Sequence, residues 1–246
     1  MSTSLISNPP YNMKWKLPVF AQLQPRFNDC ELPPEKNANF AFILTALNKM
    51  DAKAVFILPC SVLNGGLKQE DEIRKYLIEK NLIEAVITCP DNMFESTGIA
   101  TCIIVFNKHK STTQIELIDM RNTYEVEERE QRGQYGSSSH TNRVYKKAVK
   151  VFSDEQMERA IKAIEEHTTE KDFAVSVSPE DVKERKYRLL PSTYFEVDFE
   201  PQPHREYKEI IADLNRVIEE KNGLKLTMNE SLAKAIGLYE IFQAFK

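Results

Sequence analysis

Three predominantly apolar runs constrain this chain more than anything else in it. They are Ala54-Val55-Phe56-Ile57-Leu58, Ile83 to Thr88, and the β-branched stretch Ala100 to Phe106. The first stops at Pro59 and the second at Pro90. Runs without polar alternation belong to strands covered on both faces, as in sheets wound through helices. The intervening segments carry helical spacing. Asn39 to Asn48 places Phe40, Ile43, Leu44 and Leu47 on one face, and Asp71 to Lys80 turns Ile73, Tyr76 and Leu77 inward. Leu5-Ile6 reads as a further strand and Ile115 to Ile118 as a short one. The pattern predicts an α/β fold: a partial doubly wound, Rossmann-like sheet with an antiparallel last strand, followed by a helical C-terminal region.

Directly after Leu5-Ile6 comes Ser7-Asn8-Pro9-Pro10-Tyr11. Two adjacent prolines fix φ near −65° and bias the residues before them toward extended geometry. That stiffness suits a site where the Asn8 amide oxygen and the Pro9 carbonyl point together at one donor group. A planar exocyclic amine, such as N6 of adenine, is such a donor. Its lone pair is delocalised into the ring, and two fixed acceptors favour the pyramidal, nucleophilic form by positioning alone. Tyr11 supplies a flat face for stacking a base. A base inside a duplex would have to be flipped out to reach it. The plain alternative is a proline-rich turn near the start of a chain.

Composition excludes several other chemistries. The 246 residues are 41% apolar and 28% charged, as in a soluble globular protein. The net charge of −4 supplies no global field for nucleic acid, so phosphate contacts are expected from local patches or a partner chain. Cys30, Cys60, Cys89 and Cys102 are scattered without metal spacing, as are His109, His140, His167 and His204. Reduced, partly buried thiols in a cytoplasmic protein are expected, and no metal. No signal peptide opens the chain and no apolar run nears a membrane span of roughly 18 to 20 residues. With seven glycines and no GxGxxG or GxxxxGK, no glycine-rich turn is available to cradle a nucleoside-bearing cofactor.

The remainder divides by composition. Residues 16–38, with Pro18, Pro25, Pro33 and Pro34, read as a long loop, and residues 91–98 as a shorter one carrying Met93 and Phe94. From Tyr124 to Lys147 the chain is polar around Gly-Ser-Ser-Ser-His, which predicts a flexible loop. Its Arg129, Arg132, Arg143, Lys146 and Lys147 suit either phosphate contact or plain solvation. Ser153 with Gln156 makes a capping box for a helix to about His167, and Ser178-Pro179 opens a short one. Tyr187 to Asp198 looks extended. Arg205 to Lys221 is amphipathic, Asn222-Gly223 ends it, and Thr227 to Glu230 caps a last helix. That predicts a hairpin which packs on its own domain or on another subunit. The expected divisions are 1–123, 124–150, 151–200 and 201–246.

In their order, these pieces resemble the modification (DNA adenine-N6 methyltransferase) subunit of type I restriction-modification systems. The likeness covers about residues 7–120 well. It rests on Asn8-Pro9-Pro10-Tyr11, on Val55 to Pro59 with Val62-Leu63-Asn64-Gly65-Gly66 and Ile73-Arg74, and on Ile83 to Pro90. Asn92-Met93-Phe94, Thr97-Gly98-Ile99 and Thr101 to Val105 continue it, and Phe173 to Phe195 match less specifically. The resemblance implies a Rossmann-like methyltransferase sheet, with Asn8, Pro9, Pro10 and Tyr11 as the catalytic motif. It also implies that Phe94 flanks the flipped adenine from the far side, unless Phe94 is a core residue.

The resemblance further implies S-adenosylmethionine as cofactor and DNA, a specificity subunit and a restriction subunit as partners. In the family, the cofactor-binding half with its glycine-rich loop precedes the Asn-Pro-Pro-Tyr motif. The expectation is therefore a fragment whose main cofactor site is absent and which is inactive alone. Its first strand would lie at an exposed parallel edge open to self-association. Two other functions fit the same residues: a non-catalytic assembly module of a restriction-modification complex, and a protein-glutamine or RNA N-methyltransferase.

Overall fold

In the computed structural model, which describes residues 3–94, 97–132, 144–196 and 205–244, the apolar runs become the centre of one mixed sheet. Strand β1 (Leu5–Ser7) pairs in parallel with β2 (Lys53–Pro59), placing Leu5 opposite Ala54. Between them the chain crosses over through helix α1 (Asn39–Lys49), whose Phe40, Ile43, Leu44 and Leu47 are buried. Helix α2 (Lys68–Glu79) makes the next crossover to β3 (Ile83–Thr88), burying Ile73, Leu77 and Ile78. The strand β4 (Thr101–Asn107) runs the opposite way and lies between β2 and β3, antiparallel to both. No described helix joins β3 to β4, so the chain turns back on itself and fills the slot that the α2 crossover leaves. Phe56 on β2 and Phe106 on β4 meet edge to face there, 6.0 Å apart at 85°.

Strand β5 (Ile115–Asp119) continues the sheet parallel to β3, and β8 (Ala174–Val177) closes it antiparallel to β5. The order is β1-β2-β4-β3-β5-β8. The sheet thus ends on an antiparallel strand, as expected, but that strand is β8, which composition alone did not reveal, and β4 is a second reversed strand in the interior. Helix α3 (Asp154–Glu165) carries the expected capping box, Ser153 accepting from Gln156 N, and its Ala160 and Ala163 pack with Ile118, Met120 and Phe173. Helix α4 (Pro179–Glu184) begins as expected, with Ser178 accepting from Asp181 N.

The expected flexible loop at 124–150 is corrected on both flanks. The strands β6 (Glu125–Arg132) and β7 (Val144–Val151) form their own two-stranded antiparallel sheet. The register sets Glu130 opposite Lys146, and Lys146 also pairs with Glu128 at 3.2 Å. Cross-strand charge compensation lets a polar sequence pair as strands where composition suggested none. The Gly-Ser-Ser-Ser-His centre and Arg143 lie outside the described residues.

The extended stretch expected from Tyr187 to Asp198 is broken by turns within its described part, and residues 197–198 lie outside the described residues. Lys186 and Tyr187 both adopt positive φ (58° and 55°), and a 3-10 turn follows at Pro191–Thr193. The buried Arg74 imposes this by donating to Tyr187 O at 2.9 Å and Val62 O at 3.0 Å, while Leu189 N donates to Leu63 O at 2.8 Å.

Residues 1–196 and 197–246 are separate compact units. In the second, the expected hairpin is replaced by one helix, α5 (Tyr207–Ala235), which runs straight through Asn222-Gly223. A glycine inside a helix costs only about 1 kcal/mol, too little to break 29 otherwise helical residues. Thr227 does not cap: its hydroxyl donates to Gly223 O at 3.0 Å, one turn back along the same helix. The helix stops instead at Gly237 (φ 73°), a left-handed conformation that favours glycine, and α6 (Tyr239–Ala244) folds back. No described helix is long and apolar enough to cross a membrane.

Candidate active site at the carboxyl edge of the sheet

Because β4 is antiparallel to both β2 and β3, strands β1, β2, β3 and β5 all point the same way. Their carboxyl ends deliver four segments to one edge: Asn8 to Tyr11 after β1, Cys60 after β2, Cys89 to Phe94 after β3, and Met120-Arg121 after β5. Ligands of open α/β sheets bind outside the carboxyl ends of the strands. Asn8 is exposed, Pro9 buried, Pro10 exposed and Tyr11 half-buried. The rigid dipeptide thus anchors one ring while the Asn8 carboxamide faces solvent.

Tyr11 sends its hydroxyl inward, where the oxygen is buried without a hydrogen-bond partner. Burial, with Cys102 and Cys89 nearby, holds its pKa above the usual tyrosine range. Burial likewise pushes the Cys89 thiol up to about 12 and drives that of Cys102 well up, so both remain protonated. Three strand spacings separate β1 from β3, about 14 Å at the strand ends. An orphaned buried hydroxyl costs about 1–3 kcal/mol. Tyr11→Phe is therefore expected to raise stability by about 1 kcal/mol, read as a higher urea midpoint at unchanged m-value.

The turn is clamped by residues the sequence marked only as a helix start. Asn39 is fully buried; its Oδ1 accepts from Asn12 N and its Nδ2 donates to Asn12 Oδ1, each at 3.1 Å. Asn12 itself has φ 51°. Asn39 N donates to Asn37 Oδ1 at 2.9 Å, and Asn37 Nδ2 to Glu70 Oε1 at 2.8 Å. Glu70 Oε2 accepts from Leu67 N at 3.2 Å, and burial raises the Glu70 pKa. A Cβ on Gly66 would come within 1.9 Å of that oxygen, so the turn before α2 admits only glycine. A polar chain therefore runs from the motif to the start of α2. Beyond it, Ala38 N donates to Met13 O at 2.9 Å and Trp15 N to Glu35 O at 3.0 Å, zipping the segment after the motif along residues 34–38. The sequence signal for this clamp was the pair Asn37 and Asn39 ahead of a helix, which alone has many other uses.

Phe94 lies on the same edge, half-buried, in an isolated bridge with Thr97. After β5, Arg121 holds Asp119 in a two-pronged pair, Nε donating to Oδ1 at 2.9 Å and Nη2 to Oδ2 at 2.5 Å, and Thr88 Oγ1 donates to Oδ1 at 3.0 Å. Burial opposes the charge on Asp119, but the Arg121 bonds outweigh it and lower the pKa. Among the described residues no cluster of His, Cys, Asp and Glu has metal-holding geometry. Nor do the described residues of this edge form a glycine-lined cradle for S-adenosylmethionine. What they bring together is an exposed asparagine, a buried proline and a half-buried tyrosine directly after β1.

The family model described as N-6 DNA methylase matches residues 2–202. Among curated proteins, the chain is 26% identical over 233 residues to a type I restriction enzyme MpnII methylase subunit of Mycoplasma pneumoniae, covering 92% of this chain and 39% of that one. It is 24% identical over 241 residues to the MjaIX methylase subunit of Methanocaldococcus jannaschii, covering 93% and 41%. Among solved structures, the type I restriction-modification methyltransferase subunit of Streptococcus thermophilus superposes with a TM-score of 0.66 at 26% identity. It covers 78% of this chain and 38% of that one. The chain thus spans about two-fifths of the length of the curated relatives it matches.

Proposed function

The chain belongs to the N-6 DNA methylase family, and on that premise we propose that it forms the amine-holding part of an enzyme that methylates adenine N6 in DNA. The observation that carries the reading is the exposed Asn8 carboxamide beside the half-buried Tyr11, both just beyond the carboxyl end of β1. In this reading the Asn8 amide oxygen and the Pro9 carbonyl accept the two amine protons, and Pro10 stiffens the turn between them and Tyr11. The flipped adenine stacks on Tyr11, and Phe94 closes its other face. S-adenosylmethionine supplies the methyl group, and residues other than those of this edge hold it. This chain's contribution is to fix the amine, which is catalysis by orientation and preorganised dipoles.

The partners we propose are DNA and the specificity and restriction subunits of a type I complex in the cytoplasm. The exposed apolar side of α5 supports a subunit contact: Tyr207, Ile210, Leu214, Val217, Leu224 and Met228 recur at heptad-like spacing and are all exposed. The exposed edge of β1, where Ile6 is 84% exposed, favours pairing with another strand. A non-catalytic assembly role rests on that same helix and makes the opposite prediction for chemistry.

The test is to reconstitute the chain with the portion that its relatives carry in addition, plus a specificity subunit. Labelled methyl transfer is then measured on duplex DNA, RNA and glutamine peptide. Label on adenine N6 is expected. Assembly without transfer to any substrate supports the assembly role, and label on RNA or peptide replaces the DNA reading.

A further inference from the structure

The charged hairpin β6–β7 has no task in the methyl-transfer reading, yet one of its residues is fixed to the loop that carries Phe94. Lys150 lies opposite Val126, one position from the end of β7. Its backbone N donates to Asn92 O at 3.4 Å, and its Nζ makes an ion pair with Asp91. The same ammonium sits 4.4 Å from the centre of the Tyr124 ring, at the point where the chain leaves β5 for β6. The preceding residue, Val149, is 1% exposed, so the hairpin base is packed and does not trail in solvent. From the inner side, Asn92 (φ 57°) closes on Gly98, where an added Cβ would come 2.9 Å from Asn92 Oδ1. The outgoing leg of the loop is therefore gripped by Lys150 and backed by a position that tolerates no side chain without a shift.

We propose that Lys150 is a positioning residue, the brace through which the β6–β7 hairpin sets the place of the 91–94 loop, and hence of Phe94, beside the target base. The proposal rests on the adenine-holding reading of the site. An exposed ion pair adds little to global stability, so its value lies in selecting one arrangement of a short loop. The cation–π contact with Tyr124 holds the Lys150 stem in the one direction that meets Asp91. Because the hairpin strands leave the sheet just beyond β5, anything bound along them is coupled to the loop through this residue.

Two measurements test it, on Lys150→Ala, Lys150→Arg and the charge-swapped pair Asp91→Lys with Lys150→Asp. The first is amide hydrogen exchange at residues 91–94 in the chain alone, which needs neither cofactor nor DNA. Lys150→Ala is expected to speed exchange there by roughly fivefold, the scale of a surface ion pair joined by a cation–π contact. Lys150→Arg stays near wild type, and the charge swap, which restores the ion pair without the cation–π contact, falls between wild type and Lys150→Ala. The second is fluorescence of a duplex carrying 2-aminopurine at the target adenine, bound to the reconstituted enzyme. Lys150→Ala is expected to lower the extruded-base signal several-fold, with recovery in Lys150→Arg and partial recovery in the charge swap. Unchanged exchange overturns the brace. So does faster exchange with an undiminished extruded-base signal. Faster exchange in Lys150→Ala, with no extruded-base signal from wild type on any duplex, supports the brace and rejects the adenine reading on which its purpose depends.

Discussion

Replacing Asn8 by alanine in the reconstituted enzyme is expected to lower methyl transfer to adenine by at least ~100-fold, the usual cost of removing one preorganised polar contact to a developing charge. The effect falls on kcat. The adenine amine becomes nucleophilic only as its nitrogen pyramidalises, so an acceptor that holds the amine protons is worth most in the transition state. Stacking on Tyr11 and contacts to the duplex persist, so KM for DNA changes little. Asn8 is exposed at the end of a three-residue strand, and truncating it opens no cavity; assembly and the urea midpoint stay as in wild type. Asn8→Asp keeps an acceptor oxygen in place and is expected to recover part of the rate. Transfer undiminished in Asn8→Ala would assign the amine to another acceptor. A parallel loss in KM and kcat would make Asn8 a binding residue instead.

Phe106→Ala is expected to cost about 3–5 kcal/mol, the largest stability loss anticipated for a single position in the sheet. Phe106 is fully buried, lies on the reversed strand β4 and stands opposite Ala54 on one side and Ile83 on the other. Its edge-to-face contact with Phe56 at 6.0 Å cannot be replaced by neighbours that are themselves fixed in register. With domains typically stable by about 5–15 kcal/mol, this is a large share of the total. Urea unfolding followed by the single tryptophan reads it well. Trp15 packs 6.1 Å from Phe27 in the segment zipped beyond the Asn-Pro-Pro-Tyr turn, so its emission reports on the loop that serves the site. A loss below about 1 kcal/mol would mean that the cavity collapses and that β4 is held mainly by its backbone ladder.

The two predictions separate what the chain encodes locally from what it encodes at a distance. The apolar runs, the helix faces of α1 and α2, and the Ser153 and Ser178 caps were legible because each depends on side chains within a turn or two of one another. The same holds for the stiffness of Asn8 to Tyr11 and for its place at the end of a strand. The long helix α5 was misread by local rules. Asn222-Gly223 has the composition of a helix stop, but Thr227 gave its hydroxyl to a carbonyl one turn back, and Gly237 took the left-handed position. A glycine costs a helix little, and whether it ends one depends on the residues that follow it.

The tertiary structure decided what no window of sequence contains. It placed β4 between β2 and β3, paired a charged stretch into β6–β7, and recruited Asn39, Asn37 and Glu70 as a polar chain behind the motif. It also buried the Tyr11 hydroxyl without a partner and set Lys150 on the Phe94 loop. Each of these is a contact between residues tens of positions apart, and such contacts form only when burial elsewhere has offset the entropy of closing the loops between them. Patterning along the chain determined the kind of sheet and the chemistry of its first turn. The order of the strands, and with it the company that turn keeps, came from packing alone.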